Sequence, residues 1–335
     1  MRLTICIPTY NRAGHLADCL ASIAKNRRES GIDFEVCVSD NGSSDDTEAV
    51  VRAAQRDMPI SYHRNTENLG IPRNFLKVVS MATGEFAWLL GDDDLLMPGA
   101  VETLDRLIDE HQGVDLFFVN ANHLRTDYVA RFPRPFDTAN LPAGMTPFSS
   151  WTRDGELPYL DLVDPRISFD FMGGMFLSVF RRQMWADHAG VLDAAAIVDK
   201  RTFSHFDNTF PHLAIFSRAF ARSRAFFHSR PLSVCLTGAR EWAPMYPLVH
   251  SVRLVEALER YRANGLPLWR YLWCRNFALN NFVSEVAFMA LNRSVSGYSY
   301  INPRRLFVSN ALYPNTYLSL VYFVWRRLKR LLARQ

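Results

Sequence analysis

Apolar positions in the first 120 residues fall into short runs separated by stretches of helical spacing. Residues 3–7 are apolar and β-branched and read as a buried parallel strand. Across 13–26, Leu16, Cys19, Leu20 and Ile23 recur with the period of one helix face. Residues 34–38 and 60–63 read as further strands, with a helix reaching Gln55 between them and Asp45 or Asp46 at its start. Residues 74–81 read as helix and 86–90 as a fourth strand. A helix over roughly 99–110 follows Pro98, and 116–119 is a fifth strand. This alternation predicts an α/β fold, a doubly wound and mostly parallel sheet with helices on both faces. Ligands in such sheets bind beyond the carboxyl ends of the strands, so the loops 8–12, 40–46 and 91–94 are expected to share one crevice.

The pattern changes after residue 131. Pro133, Pro135, Pro142, Pro147, Pro158 and Pro165 interrupt it, which predicts a long irregular excursion. Residues 168–180 are apolar around the pair Gly173-Gly174, and 203–220 are rich in aromatics and helical in their later part. Residues 245–264 form an amphipathic helical pattern, and 268–289 read as another helix. There is no internal repeat.

Composition adds three constraints. At 335 residues and 48% hydrophobic, the chain can bury a real core. Its five cysteines are scattered without a CxxC pair, so neither a zinc ribbon nor a disulfide framework is suggested, and a reducing cytosol fits best. The formal charge of +4 matters through its placement. Residues 301–335 hold Arg304, Arg305, Arg326, Arg327, Lys329, Arg330 and Arg334 and no acidic residue. The opening apolar run is too short for a signal peptide, and no run of apolar residues is long enough to span a bilayer.

The chemistry concentrates in three loops. Asp92, Asp93 and Asp94 follow an apolar strand directly, and three adjacent carboxylates repel one another unless a cation joins them. Mg²⁺ or Mn²⁺ suits such oxygen ligands and bridges carboxylates to phosphates. Asp40 ends another strand, where a carboxylate can accept a hydrogen bond from a base or a ribose. Pro8-Thr9-Tyr10-Asn11-Arg12 offers an aromatic face, an amide and a guanidinium suited to a nucleoside diphosphate.

Taken together, Ile7-Pro8-Thr9-Tyr10-Asn11-Arg12, the stretch Ser39-Asp40-Asn41-Gly42-Ser43-Ser44-Asp45-Asp46-Thr47, Glu67-Asn68-Leu69-Gly70, and Gly91-Asp92-Asp93-Asp94 with Pro98 resemble the successive signatures of family 2 glycosyltransferases of the GT-A fold. The likeness extends to bacterial O-antigen and polysaccharide transferases of the abequosyltransferase type. It is strong over 1–120 and looser over 165–245.

The resemblance implies a GT-A domain over 1–245. Residues 1–120 would be its nucleotide-sugar half and 121–245 its acceptor and catalytic half. A C-terminal helical region with a basic amphipathic tail would occupy 246–335. Pro8, Thr9, Tyr10 and Arg12 would line the nucleotide pocket and Asp40 would bind the base. Asn68 and Arg73 or Asn74 would approach the nucleotide or diphosphate. Asp92 would face the ribose or sugar, and Asp93 or Asp94 would hold the divalent cation, Mn²⁺ or Mg²⁺. The general base would be Asp207, with His205 as rival and His212 a weaker one. Arg240 and Trp242 would meet the diphosphate and cover the sugar.

The function implied is inverting, metal-dependent transfer from a nucleotide sugar to a glycan or lipid-linked glycan acceptor. A nucleotidyltransferase using the same site and a non-catalytic sugar-nucleotide binding module are the alternatives. Tyr317 to Trp325 and the cations after them resemble an interfacial anchor. They imply a cytoplasmic enzyme peripheral on the inner face of the membrane. No nucleic-acid partner is expected, since no binding module accompanies the basic run.

Overall fold

The apolar runs become strands because both faces of the sheet are covered. β1 (Leu3–Thr9) is buried at every position except Pro8, and β4 (Phe86–Leu89) is buried throughout. The computed structural model describes residues 1–238 and 242–332, with side chains described up to residue 325. Within these, β2 (Glu35–Asp40), β3 (Ile60–Arg64), β5 (Leu95–Leu96), β6 (Leu116–Arg125), β7 (Thr146–Pro147), β8 (Gly155–Pro158), β9 (Ser178–Arg181) and β10 (Arg224–Thr237) complete a single sheet. Its main path runs β3-β2-β1-β4-β9-β6-β10-β5, with β7 on β6 and β8 on β10.

The crossovers from β1 to β2 and from β2 to β3 step one way along the sheet, and the crossover from β3 to β4 steps back across β1. Right-handed connections therefore put helices Ala13–Ser30 and Thr47–Ala54 on one face, packed together, and helix Ile71–Met81 on the other. The order reverses between β1 and β4. That switch point lies where the loops after Thr9 and Leu89 leave the sheet.

The sheet is parallel from β3 to β4 and again between β6 and β10, while short antiparallel strands fill the rest. β9 runs antiparallel to both β4 and β6. The strand expected at 116–119 extends to Arg125 because β10 pairs along its whole length. The register of that pairing shifts between His228 and Ser233, around Pro231, which has no N–H to donate.

The amphipathic pattern at 245–264 is observed as helices Tyr246–Leu248 and Leu254–Ala263 joined by a π-helical segment, Val249–Arg253. The single helix expected at 268–289 is two, Leu268–Ala278 and Phe282–Leu291. Asn280 and Asn281 lie at the break, residues that compete with helical hydrogen bonding. Asn315, in helix Pro314–Leu332, donates to the Asn276 carbonyl at 2.7 Å and to Asn280 Oδ1 at 2.5 Å, which ties the last helix to this break.

Candidate functional site

The loops 8–12, 40–46 and 91–94 meet at the carboxyl edge, as their positions predict, and residues 68–70 join them there. Asn11 N–H donates to Ser43 Oγ at 2.8 Å, and Asn11 Oδ1 accepts from Ser44 N–H at 2.8 Å. Asp45 accepts from Ala13 N–H at 2.9 Å, which anchors the start of the first helix. Asn41 links onward: its Oδ1 accepts from Leu69 N–H, and its Nδ2 donates to Asn68 Oδ1, both at 2.9 Å. Asn74 Nδ2 donates to the Ser39 carbonyl at 3.0 Å and its Oδ1 accepts from Ser39 Oγ at 2.7 Å, so helix Ile71–Met81 is pinned to the end of β2. Gly42 (φ 79°) is required here, because a Cβ would come within 2.9 Å of the Glu67 backbone.

The aspartates sit in the middle of this arrangement. Asp92 Oδ2 accepts from Thr9 Oγ1 at 2.8 Å, a buried bond between the ends of β1 and β4. Arg12 Nη1 lies 3.4 Å from Asp92 Oδ1 and 3.1 Å from Asp93 Oδ2, so one guanidinium faces both carboxylates. Burial and the neighbouring charge of Asp93 push the Asp92 carboxyl up to about 7, against the opposing pull of Arg12 and Thr9. Asp94 folds back on its own turn, its Oδ2 accepting from Gly91 N–H at 3.0 Å. A Cβ at residue 91 would meet Asp94 Oδ2 at 2.7 Å and Asp93 Oδ1 at 2.9 Å, so this turn needs glycine.

Beneath the loops lies a cavity of about 550 Å³. Pro8, Thr9, Tyr10, Arg12, Asn41, Asn74, Asp92, Asp93 and Asp94 line it. Much of the remaining lining is aromatic, with Phe148, Phe169, Phe176, Phe203, Phe210, Trp242 and Tyr246. Few polar groups converging in an aromatic cavity is the usual character of a small-molecule site. Trp242 meets the Phe203 ring edge-on, with centroids 5.2 Å apart at 79°. Val249 and His250, in the π-helical segment, complete the wall, a position in which such segments recur at functional sites.

The structure holds several expected contacts off this cavity. Asp40 is fully buried behind the wall; its Oδ1 accepts from Ser43 N–H and its Oδ2 from Tyr62 O–H, both at 2.8 Å, and Arg64 Nε lies 3.8 Å away. It shapes the loop, and its neighbour Asn41 faces the ligand space. Asn68 supports Asn41 and accepts from Gly70 N–H at 2.9 Å. Arg73 points to solvent on the first turn of its helix, whereas Asn74 faces inward.

Two of the three expected bases, Asp207 and His205, are also not brought together with the aspartates. Asp207 is buried, with its Oδ2 accepting from Asp193 N–H at 2.7 Å and its Oδ1 3.5 Å from Arg260 Nη2. Arg260 lines a different cavity, beside Asp187, His188 and Arg218. His205 is about half exposed and lies 3.3 Å from Asp199. His212 does line the main cavity. Burial lowers its imidazole to about 4, so it is neutral, and Nε2–H donates to the Gly173 carbonyl at 3.1 Å. Arg240 lies outside the described residues.

Two titratable lining groups besides His250 escaped the sequence reading. His123, from β6, stacks on Phe148 with ring centroids 3.6 Å apart. Asp170 precedes the turn into Gly173-Gly174. A carboxylate just ahead of a double glycine was its only sequence signal.

Comparison with known proteins agrees with this geometry. Residues 4–153 match the family described as Glycosyl transferase family 2. The chain is 30% identical over 248 residues to the abequosyltransferase RfbV of Salmonella typhimurium, covering 70% of this chain and 66% of that protein. It is 37% identical over 111 residues to the GalNAc(5)-diNAcBac-PP-undecaprenol beta-1,3-glucosyltransferase of Campylobacter jejuni, 32% of this chain and 35% of that one. The alignments thus span about two thirds of the first relative's length and about a third of the second's. The mannosyltransferase PcManGT of Pyrobaculum calidifontis, solved with GDP-Man and Mn²⁺, superposes with a TM-score of 0.52 at 15% identity, covering 100% of this chain and 88% of that one. A sheet that reverses order at β1/β4, an aspartate cluster at that switch point and these matches lead to one assignment: the chain belongs to glycosyltransferase family 2 and has the GT-A fold.

Proposed function

We propose that this protein transfers a sugar, with inversion, from a nucleotide-sugar donor to a glycan or lipid-linked glycan acceptor of bacterial surface-glycan assembly. The observation that carries this reading is the meeting of Arg12, Asp92 and Asp93 at the polar end of an aromatic cavity. Tyr10, Asn41 and Asn74 line the same cavity and would meet the nucleoside, and Trp242 and Tyr246 line it too and would cover the sugar.

A divalent cation fits this donor set. Mg²⁺ and Mn²⁺ take one or two carboxylates and complete their shells with substrate phosphate oxygens. Among the described residues there is no group of three or more His, Cys, Asp or Glu side chains placed to hold a metal. The fit is therefore to an ion shared with the donor's diphosphate, held by Asp93 together with Asp92 or Asp94. When bound, it would neutralise charge on the departing nucleoside diphosphate. Arg12 compensates the same carboxylates and stands ready to move its charge onto a phosphate.

The test is product analysis with UDP- and GDP-sugars and Mn²⁺. Sugar transfer releases nucleoside diphosphate from these donors, whereas the rival nucleotidyl transfer releases sugar 1-phosphate from them and pyrophosphate from a nucleoside triphosphate. Tight donor binding with neither product would mark a binding module and overturn the proposal.

A peripheral membrane location belongs to the same reading. No helix among the described residues is long and apolar enough to cross a membrane. Helix Pro314–Leu332 nevertheless exposes Tyr317, Leu318, Leu320, Val321, Tyr322, Val324 and Trp325. The sequence continues with Arg326, Arg327, Lys329 and Arg330. Apolar and aromatic groups beside clustered cations suit an anionic cytoplasmic leaflet, where each cation contributes about 1 kcal/mol. Replacing these four cations with Gln is expected to weaken binding to phosphatidylglycerol vesicles by roughly 10²-fold or more. Flotation checks this, and undiminished binding would refute it.

A further inference from the structure

We infer that Asp170 is the catalytic base that takes the proton of the acceptor hydroxyl, a role that rests on the sugar-transfer reading above. Inverting transfer needs a carboxylate or imidazole in the same cavity as the donor phosphates, facing the acceptor. Among the described residues, four carboxylates line that cavity: Asp92, Asp93, Asp94 and Asp170. The first two face Arg12, and Asp94 accepts from Gly91 N–H. Asp170 is the one that comes from a different part of the chain, next to Phe169 in the aromatic lining.

The sheet explains why it arrives there. β9 runs antiparallel to β4, with Val179 opposite Trp88. The segment entering β9 therefore lies alongside the segment leaving β4 toward Gly91 and Asp92. Trp88 Nε1–H donates to the Phe176 carbonyl at 2.8 Å and holds this alignment. Residues 78 positions apart thus share one sheet edge and one cavity.

The turn carrying Asp170 is strained and firmly held. Phe171 (φ 49°) and Met172 (φ 76°) are non-glycine residues in the left-handed region, and both are fully buried. Backbone strain of this kind persists only where surrounding contacts impose it, and it collects at functional sites. Here Gly173 N–H closes the turn on the Asp170 carbonyl at 2.9 Å, Tyr261 O–H donates to the Phe171 carbonyl at 3.3 Å, and His212 donates to the Gly173 carbonyl. Ser168 Oγ donates to Asp170 Oδ1. A Cβ at residue 174 would lie 3.2 Å from Asp170 Oδ2, so a side chain there would press on that oxygen. Phe169 and Phe148, parallel at 11° with centroids 6.4 Å apart, line the same cavity as Asp170 and give it an apolar platform of the sort a sugar face occupies.

In the step, the acceptor O–H bond breaks and its proton passes to the Asp170 carboxylate. The acceptor oxygen forms a bond to the anomeric carbon as the bond from that carbon to the diphosphate oxygen breaks, and the diphosphate leaves with the electron pair.

The test compares wild type with Asp170→Asn, using UDP-glucose or GDP-mannose, Mn²⁺ and a short-chain prenyl-diphosphate-linked hexose. The amide keeps the size and the bond from Ser168 but cannot take the proton. Transfer is expected to fall about 10²- to 10⁴-fold, with the thermal shift given by UDP or GDP and Mn²⁺ unchanged. Ser168→Ala, which removes one hydrogen bond that positions the carboxylate, is expected to lower transfer by a smaller factor. Wild-type product with Asp170→Asn within about threefold of it would overturn the base assignment alone. No glycosylated product from wild type with either donor would overturn both it and the sugar-transfer reading.

Discussion

Asp93→Ala is expected to lower sugar transfer by at least about 10²-fold while leaving the fold intact. Removing one preorganised group that stabilises developing charge typically costs this much. Asp93 is the more accessible of the two carboxylates on Arg12, with side-chain exposures of 15% against 9% for Asp92. Its charge also raises the Asp92 carboxyl, so deleting it relieves a repulsion and leaves the Arg12–Asp92 and Thr9–Asp92 contacts in place. The variant should melt near the wild-type temperature in buffer. Wild type with saturating nucleoside diphosphate and Mn²⁺ should gain about 2.7 kcal/mol at 100 times Kd, and Asp93→Ala should lose the Mn²⁺-dependent part of that gain. A variant that transfers sugar at the wild-type rate would show that Asp93 does not hold the cation.

Trp88→Ala is expected to destabilise the protein by about 3–5 kcal/mol. Trp88 is 0% exposed on a strand with neighbours on both sides. The substitution opens a cavity in the middle of the sheet and leaves the Phe176 carbonyl without its donor, which adds about 1–3 kcal/mol if water cannot reach it. Against total stabilities of about 5–15 kcal/mol, the loss should show as a large drop in the urea midpoint. Trp88→Phe refills most of the volume and should recover more than half of it. Because Phe176 continues from the turn that carries Asp170, transfer measured below the melting temperature should fall in both variants. A change under about 1 kcal/mol for Trp88→Ala would mean that this contact does not hold the β4–β9 junction.

Some of this site was legible before folding and some was not, and the division follows sequence distance. Thr9, Arg12 and Asp92 each lie within a few residues of a short apolar run, and the run itself announces a strand. Once strands are recognised, the loops after them are bound to meet at one edge, and the bonds among Asn11, Ser43, Ala13 and Asp45 are the result. Asp207 shows the limit. Its place at the head of a short helix, Phe206–Thr209, matches the family's usual base, but a helix start does not say which way a side chain turns. Packing against Arg260 and the Asp193 backbone turns it away from the main cavity. Asp40 was legible as a strand end, yet the pairing of β2 with β3 brings Tyr62 and Arg64 onto its carboxylate.

The amino-acid sequence by itself determined the order of the main elements over the first 120 residues, the α/β class and the edge of the sheet at which the polar loops gather. These follow from hydrophobic period and turn chemistry, which act over a few residues. Tertiary structure decided that β9 enters antiparallel between β4 and β6, that Asp170 thereby joins Asp92 and Asp93 in one cavity, and that His250 reaches it from a π-helical segment. Strand pairing and side-chain burial between distant segments depend on which surfaces are left to cover once the local elements exist, and no short stretch of the chain encodes that choice.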